Sequence, residues 1–284
     1  MASYRFCRSD DIPLLVEAHN DCCAVHQPGQ PRLTVEGFKR AVNELNLWSS
    51  SCALAFVDGR PVGVVLATKR DRATLIHRIG VKKSHQRQGH GRHMLTSLSN
   101  KLAILGPPRL EAELPADDPD LERFFMACGY RPGEAFSDFV LETPRQVPAA
   151  AELAIPVTLD DITGSGAWDP AIPRSWERTL ETLTNRKEQL SGLAVASDTR
   201  IEAWLLYFTP SQGGPTQVLA LGGPPGQQSR SLLAILMARC AGEAAAGVAI
   251  PGVSPAEIEF ARLEGWGFRR TRDFRTHVAT AGAG

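Results

Sequence analysis

The chain has 284 residues, 31 basic and 31 acidic side chains, a formal net charge of zero and 43% hydrophobic residues. This is enough apolar mass for one large or two ordinary domains, and it offers no field of one sign, which argues against a general nucleic-acid or membrane-surface binder. No apolar run of about 18 residues is present to cross a bilayer. Met1-Ala2-Ser3-Tyr4-Arg5 lacks the apolar segment of a signal peptide. The six cysteines form no CxxC and no Cys/His cluster at zinc spacing, so no metal is expected and a reducing cytoplasm is the simple reading.

In chain order, Phe6-Cys7-Arg8-Ser9-Asp10-Asp11-Ile12 predicts a short strand and then a helix start, with aspartates near the positive end of the helix dipole. The turn Gln27-Pro28-Gly29-Gln30-Pro31 precedes a second expected helix over 35–45, and such a loop suits the gating of an acceptor. Residues 52–57, a turn at Asp58-Gly59-Arg60 and residues 62–67 predict a hairpin. A strand from Leu75 to Val81 leads through a basic, glycine-bearing loop into a helix whose Met94, Leu95, Leu98, Leu102 and Leu105 form one apolar stripe. Then come a strand at 110–114, a helix ending in Phe124-Phe125-x-x-x-Gly129-Tyr130, and a linker with two prolines, Thr143-Pro144-Arg145-Gln146-Val147-Pro148-Ala149-Ala150-Ala151. The second half restarts the same series. Pro156-Val157-Thr158-Leu159-Asp160-Asp161-Ile162 mirrors the opening, 193–207 mirrors the hairpin, and 260–268 mirrors the closing helix, which favours a degenerate tandem duplication.

The segment from Leu75 to Leu95 carries the chemistry. A strand, a glycine turn and a helix N-terminus together suit a pyrophosphate, because free N–H groups and the positive end of the dipole point at the anion. Gly89 and Gly91 let the backbone come close, and Lys82, Lys83, Arg87 and Arg92 are expected to add charge nearby.

Gln86-x-x-Gly89-x-Gly91 resembles the acetyl-CoA loop of the GNAT N-acetyltransferase superfamily, Gln/Arg-x-x-Gly-x-Gly/Ala, and Phe124-Phe125-x-x-x-Gly129-Tyr130 resembles its closing pattern, Phe-Tyr-x-x-x-Gly-Phe. A Rossmann loop fits less well, because its third glycine would fall at Met94. The resemblance covers residues 4–142, and 153–278 by element order only. It implies an α/β (α+β) fold of two tandem GNAT-like domains, each a mixed, mostly antiparallel sheet flanked by helices. The domains expected are an acetyl-CoA-binding one at 1–143, a linker at 144–152 and a degenerate one at 153–284.

The resemblance also implies acetyl-CoA as co-substrate. Ile79, Gly80 and Val81, on a strand splayed from its neighbour, would pair with the pantetheine arm. Gln86, Arg87, Gln88, Gly89, His90, Gly91 and Arg92 would cradle the pyrophosphate. The implied reaction is transfer of acetyl to a primary amine of a small molecule or peptide, by direct attack in a ternary complex. The sequence departs from the family at the acid, because Phe125 stands where a tyrosine is usual and has no proton to donate. Another group serves, the thiolate leaves unassisted, or the domain does not catalyse. Asp118 stands where an asparagine is usual.

His77 is the best base candidate. Strand alternation places it on one face with Val81, an arylalkylamine branch of the family is similar there, and an unperturbed imidazole titrates near ~6.5. Glu113 on the next strand is the second candidate. Both also fit plain structural roles, as a packed histidine and as a strand carboxylate. His19 and His26 are candidates for substrate contact. His85, His90 and His93 read as a solvated loop rather than a metal site, and Cys22, Cys23 and Cys128 read as packing residues.

In the second half, Leu219-Ala220-Leu221-Gly222-Gly223-Pro224-Pro225-Gly226-Gln227-Gln228-Ser229-Arg230 lacks the loop pattern, and two prolines remove amide donors, so the fold is expected to persist without the cofactor site. The expected partner is the amine acceptor, with no nucleic acid and no membrane. A monomer or a homodimer fits equally. The alternative function is a non-catalytic acyl-CoA sensor or regulatory module.

Overall fold

The computed structural model describes residues 1–23, 32–45, 47, 49–142, 154–211, 213–244 and 246–282. His26, the turn at 27–31 and the linker at 144–152 lie outside the described residues.

The first half runs β1 (Ala2–Phe6), α1 (Ile12–Cys22), α2 (Val35–Leu45), β2 (Ala53–Val57), β3 (Arg60–Lys69), β4 (Ala73–Val81), α3 (His90–Leu105), β5 (Arg109–Pro115), α4 (Pro119–Ala127) and β6 (Arg131–Leu141). The second half runs β7 (Ile155–Val157), α5 (Leu159–Gly164), α6 (Leu180–Asn185), β8 (Ser191–Ala196), β9 (Ile201–Phe208), β10 (Thr216–Gly222), α7 (Gln227–Glu243), β11 (Val248–Val253), α8 (Phe260–Gly265) and β12 (Arg269–Thr280). The order of strands and helices is the same in both, as a tandem duplication requires. No helix among the described residues is long and apolar enough to cross a membrane.

The chain forms two compact units, Met1–Gly133 with Arg275–Gly284, and Glu134–Phe274. These differ from the boundaries expected from sequence. The sheet of the first unit runs β1-β2-β3-β4-β5 and ends on the last part of β12, and the sheet of the second runs β7-β8-β9-β10-β11 and ends on β6. In the second unit β6 pairs antiparallel with β11, with Val248 opposite Leu141. Each unit therefore takes its last strand from the other half of the sequence. A break placed at the proline-rich linker misses this, because strand partnership is a long-range choice that local composition does not encode.

In the first unit β1-β2-β3-β4 are antiparallel and β4-β5 parallel. Asp58 and Gly59 both take positive φ, 49° and 76°, the twist a two-residue hairpin demands. Successive strand residues face opposite sides, so Leu54, Val64 and Leu66 pack with Leu15 and Phe38 of α1 and α2, while Ala55, Val65 and Ala67 pack with Met94, Leu95 and Leu98 of α3. The α3 stripe is buried as expected except at Leu105, the last helical residue, which is 68% exposed.

Candidate functional site

The parallel β4-β5 ladder runs from Ala73↔Arg109 to Ile76↔Ala112 and stops there. On its other side β4 continues to pair with β3 as far as Gly63↔Val81. Ile79, Gly80 and Val81 thus have one satisfied edge and one edge with no ladder partner on β5. Beyond Val81 the chain turns and enters α3. The Gln86 side chain donates to the Val81 carbonyl at 3.0 Å and ties the loop to the strand end. Arg87 takes φ 62° and Gly89 φ 87°, so two left-handed residues fold the loop back over the helix start. No side chain caps α3, and its first internal bond is His93 N–H to the Gly89 carbonyl at 2.9 Å. The amides at the head of this 16-residue helix and its positive dipole end are directed out of the helix.

These elements enclose a cleft of about 530 Å³ walled by Ile79, Gly80, Val81, Gln86, Arg87, Gly89, His90, Gly91 and Arg92, with Asp118, Asp120, Leu121 and Phe124 opposite. Nine of the ten residues expected to hold the cofactor meet there. Gln88 does not; it donates to the Ser84 carbonyl at 3.3 Å on the loop surface. Lys82 is also diverted, paired with Asp21 of α1 at 2.9 Å. Arg87 and Arg92 remain as the cations of the cleft. A Cβ on Gly91 would lie 3.1 Å from the Phe124 ring, so this glycine lets α4 pack closely against α3. Asp118 caps α4 by accepting from Leu121 N–H at 2.9 Å.

His77 does not keep the face expected for it. The β3-β4 register shifts between Leu66↔Arg78 and Ala67↔Ile76, leaving His77 as the extra residue of a bulge. The bulge breaks the alternation that would have put His77 beside Val81. Desolvation, followed by the charges of Arg78 and then of His19 on α1, pushes the His77 pKa down to about 3. The expectation of an imidazole titrating near ~6.5 is therefore corrected: the ring is neutral at physiological pH and holds a proton poorly. Burial and Arg78 lower His19 as well. Glu113 lies half-buried on β5 just beyond the end of the ladder, on the face opposite the buried Ala112 and Leu114. Phe125 is 1% exposed and meets Tyr130 edge-on at 5.0 Å, so it packs in the core while Phe124 walls the cleft.

Tyr4 of β1 was not read from sequence. Its hydroxyl shares a 2.7 Å hydrogen bond with His90 Nδ1, and its ring lies tilted against that of His93 with centres 3.8 Å apart. Tyr4 and His90 are 86 positions apart, and no linear signal links them. Among the described residues, no group of three or more His, Cys, Asp or Glu side chains is placed to hold a metal.

The matching place in the second unit is filled by protein. The parallel β10-β11 ladder ends at Gln217↔Ala249. Past that point the buried Arg178 guanidinium donates to the Leu219 carbonyl of β10 at 2.7 Å and to the Gly252 carbonyl of β11 at 3.1 Å. Arg178 pairs with the buried Glu257 at 2.6 Å and 3.0 Å, and Glu257 also accepts from Leu221 N–H at 3.3 Å. Next to the loop, the Ser229 hydroxyl donates to the Glu202 carbonyl and crowds Gly223. Gly226 takes φ 143°, unlike the left-handed Gly89. Neither Arg178 nor Glu257 was singled out from sequence.

Residues 15–130 match the model of the acetyltransferase (GNAT) family. No curated protein matches the chain. Among solved structures, it resembles a GCN5-related N-acetyltransferase from Sphaerobacter thermophilus with a TM-score of 0.71 at 15% identity, covering 99% of this chain and 96% of that one. It resembles the tandem GNAT protein from the clavulanic acid biosynthesis pathway with a TM-score of 0.65 at 14% identity, covering 100% of each. A GCN5-related N-acetyltransferase from Anabaena variabilis gives 0.62 at 12% identity, covering 99% and 73%. At these identities the shared property is the fold, a tandem GNAT arrangement of mixed, mostly antiparallel sheets flanked by helices.

Proposed function

We propose that this protein is an acetyl-CoA-dependent N-acetyltransferase with its coenzyme cleft in the first unit, a reading supported by the match of residues 15–130 to the acetyltransferase (GNAT) family model and by the likeness of the whole chain to a tandem GNAT fold. The observation that carries the reading is the open edge of β4 at 79–81, which leads directly to the uncapped N-terminus of α3. The residues present fit the coenzyme. The strand edge suits the amide groups of a pantetheine arm, the left-handed loop and helix amides suit a diphosphate, and Arg87 and Arg92 offset its charge.

Acetyl-CoA, when bound, supplies the thioester carbonyl that an amine attacks. The protein's part is to hold that carbonyl at the end of the β4-β5 ladder and to take up the proton the amine loses. His77 and Glu113 are the groups proposed for the proton. With its pKa pushed down to about 3, His77 serves as a hydrogen-bond acceptor that orients the amine or a water, and the proton leaves to solvent water or to Glu113 rather than resting on the imidazole. Phe125 has none to give to the leaving sulfur. The acceptor proposed is a primary amine of a small molecule or peptide, with no nucleic-acid or membrane partner, in a monomer or a homodimer. Six free cysteines fit a reducing cytoplasm.

The second reading, an acyl-CoA sensor without turnover, is favoured by Phe125 and by the filled slot of the second unit. Calorimetry with acetyl-CoA, followed by a CoA-release assay over pooled amines, separates the two. Binding with amine-dependent release supports the transferase, binding without release supports the sensor, and no binding removes both. Coenzyme at 100 times its Kd would raise stability by about 2.7 kcal/mol, so thermal shift gives an independent reading.

A further inference from the structure

Both parted ladders carry a bulge at the same place. In β4 the extra residue is His77, the first past the last rung with β5, Ile76↔Ala112. In β10 the register with β9 shifts between Val218↔Tyr207 and Ala220↔Leu206, so Leu219 is the extra residue, just past the last rung with β11, Gln217↔Ala249. The extra residue of a bulge is left out of the ladder, and with the parallel neighbour gone its carbonyl needs another donor. In each unit that donor is a guanidinium. Arg78 Nη1 donates to the His77 carbonyl at 2.8 Å, and Arg178 Nε donates to the Leu219 carbonyl at 2.7 Å. The two arginines have different origins, Arg78 on the bulged strand itself and Arg178 on a turn 41 positions before Leu219. One contact made from two origins marks a requirement of the parted sheet rather than an inherited residue.

We propose that Arg78 is the positioning residue of the acyl-transfer site, its guanidinium holding the His77 carbonyl so that the bulge stands and β4 stays parted from β5. This rests on the acetyl-CoA reading above and adds a residue to it. A bulge carbonyl without a donor gains by taking an amide of β5, which would carry the ladder past Ile76↔Ala112 and close the edge at 79–81. Arg78 removes that gain. Arg178 reaches on to the Gly252 carbonyl of β11 and spans its gap, whereas the Arg78 bond to His77 stays on one strand.

Arg78 acts on the same residue through its charge as well. After burial, that charge does most to keep the His77 ring neutral, and it lowers His19 too. Among the described residues, the groups that act on His77 are Arg78 from its own strand and His19 from α1, with Glu113 on β5 just beyond the ladder end. Bond and charge are separable by substitution. Lysine keeps a donor and the charge, glutamine keeps a donor without the charge, and methionine keeps neither.

The test compares Arg78→Lys, Arg78→Gln and Arg78→Met in the whole protein. Rate should follow the donor. At pH 8, where the ring is neutral in every variant, kcat/KM over pooled amines should fall about 100-fold in Arg78→Met and be largely restored in Arg78→Lys and Arg78→Gln. The His77 pKa, read from ¹⁵N-histidine spectra without coenzyme, should follow the charge. It should rise from about 3 part of the way toward ~6.5 in Arg78→Gln and Arg78→Met and hold in Arg78→Lys. Amide exchange in β5 past Ala112, also read without coenzyme, should slow in Arg78→Met as the ladder extends. An Arg78→Met enzyme with unchanged kcat/KM and unchanged exchange overturns the proposal, and so does a loss of rate that neither Arg78→Lys nor Arg78→Gln restores. Should Arg78→Met not fold, Arg78→Gln carries the test. Retained rate with a raised His77 pKa supports the proposal, and a 100-fold loss of rate overturns it. Absence of turnover in the unaltered protein removes the transferase reading and the role of Arg78 in it, while the exchange measurement still decides whether Arg78 holds the strands apart.

Discussion

Gly89 and Gly91 are both glycines of the loop motif, but for different physical reasons. Gly89 needs none of the space a side chain would take, since a Cβ there meets nothing within 4 Å, but its φ of 87° is costly for any other residue. Gly91 has an ordinary backbone but lies against Phe124. Gly89→Ala should therefore cost about 1 kcal/mol of stability and weaken CoA modestly, whereas Gly89→Glu should abolish CoA binding by adding a negative charge to the cradle. Calorimetry on the two variants distinguishes strain from charge, and equal affinity in Gly89→Glu and the unaltered protein would remove the loop assignment. His77 shows the opposite case, a residue whose type was legible and whose chemistry was not. Its folded pKa of about 3 lies below the unfolded value of 6.5, so the fold favours the neutral ring. That contribution is complete above pH ~6.5 and is lost as pH falls toward 3, at most about 2 kcal/mol of it by pH 5. His77→Gln should flatten this acid loss of stability, measured by denaturant unfolding at pH 7 and pH 5, and should lower the acetylation rate with little change in acetyl-CoA affinity. An unchanged rate and pH profile would show that His77 does not take part in proton transfer.

At the scale of elements, the determining feature is a ladder that stops early. β4 and β5 pair over four residues and then part, and β10 and β11 pair over two and then part. A gap in a parallel sheet leaves backbone groups that need partners. In the first unit the gap stays open above an uncapped helix. In the second, Arg178 bridges the carbonyls of β10 and β11, and Glu257 takes the Leu221 amide. The second gap is thus satisfied internally and leaves little for a pantetheine arm, while Pro224 and Pro225 remove donors from the loop. One coenzyme per chain is the stoichiometry expected in calorimetry, and two equivalent sites would overturn this account of the second unit. Arg178→Met should destabilise the protein by about 3–5 kcal/mol, because the buried Glu257 carboxylate keeps only its 3.7 Å contact with the buried Arg174, and combining it with Glu257→Leu should recover only part of the loss, since Arg174 then loses its own partner. Chemical denaturation of the single and double variants measures both.

At the scale of the molecule, the exchange of closing strands makes the two halves of the sequence interdependent. The first unit ends on residues 275–284, where Ala281 N–H donates to the Pro108 carbonyl at 2.7 Å and His277 meets Glu122 of α4 at 3.3 Å. Deletion of 275–284 should lower the unfolding midpoint of the first unit and weaken its CoA binding, although the deleted residues lie some 180 positions from the loop motif. Full retention of both, by thermal melting and calorimetry, would show that β12 is not an integral strand of that unit. By itself, the amino-acid sequence determined the order of the elements, the duplication, the Asp58-Gly59 hairpin and the glycine loop at 86–91, because each is written in local periodicity, turn chemistry and short spacing. Tertiary structure alone decided which strand closes each sheet, that His77 sits on a bulge with its proton affinity suppressed, that Tyr4 supports His90, and that Arg178 and Glu257 fill the second slot. Those facts depend on partners tens to more than a hundred residues apart and on desolvation, which exist only after the chain has packed.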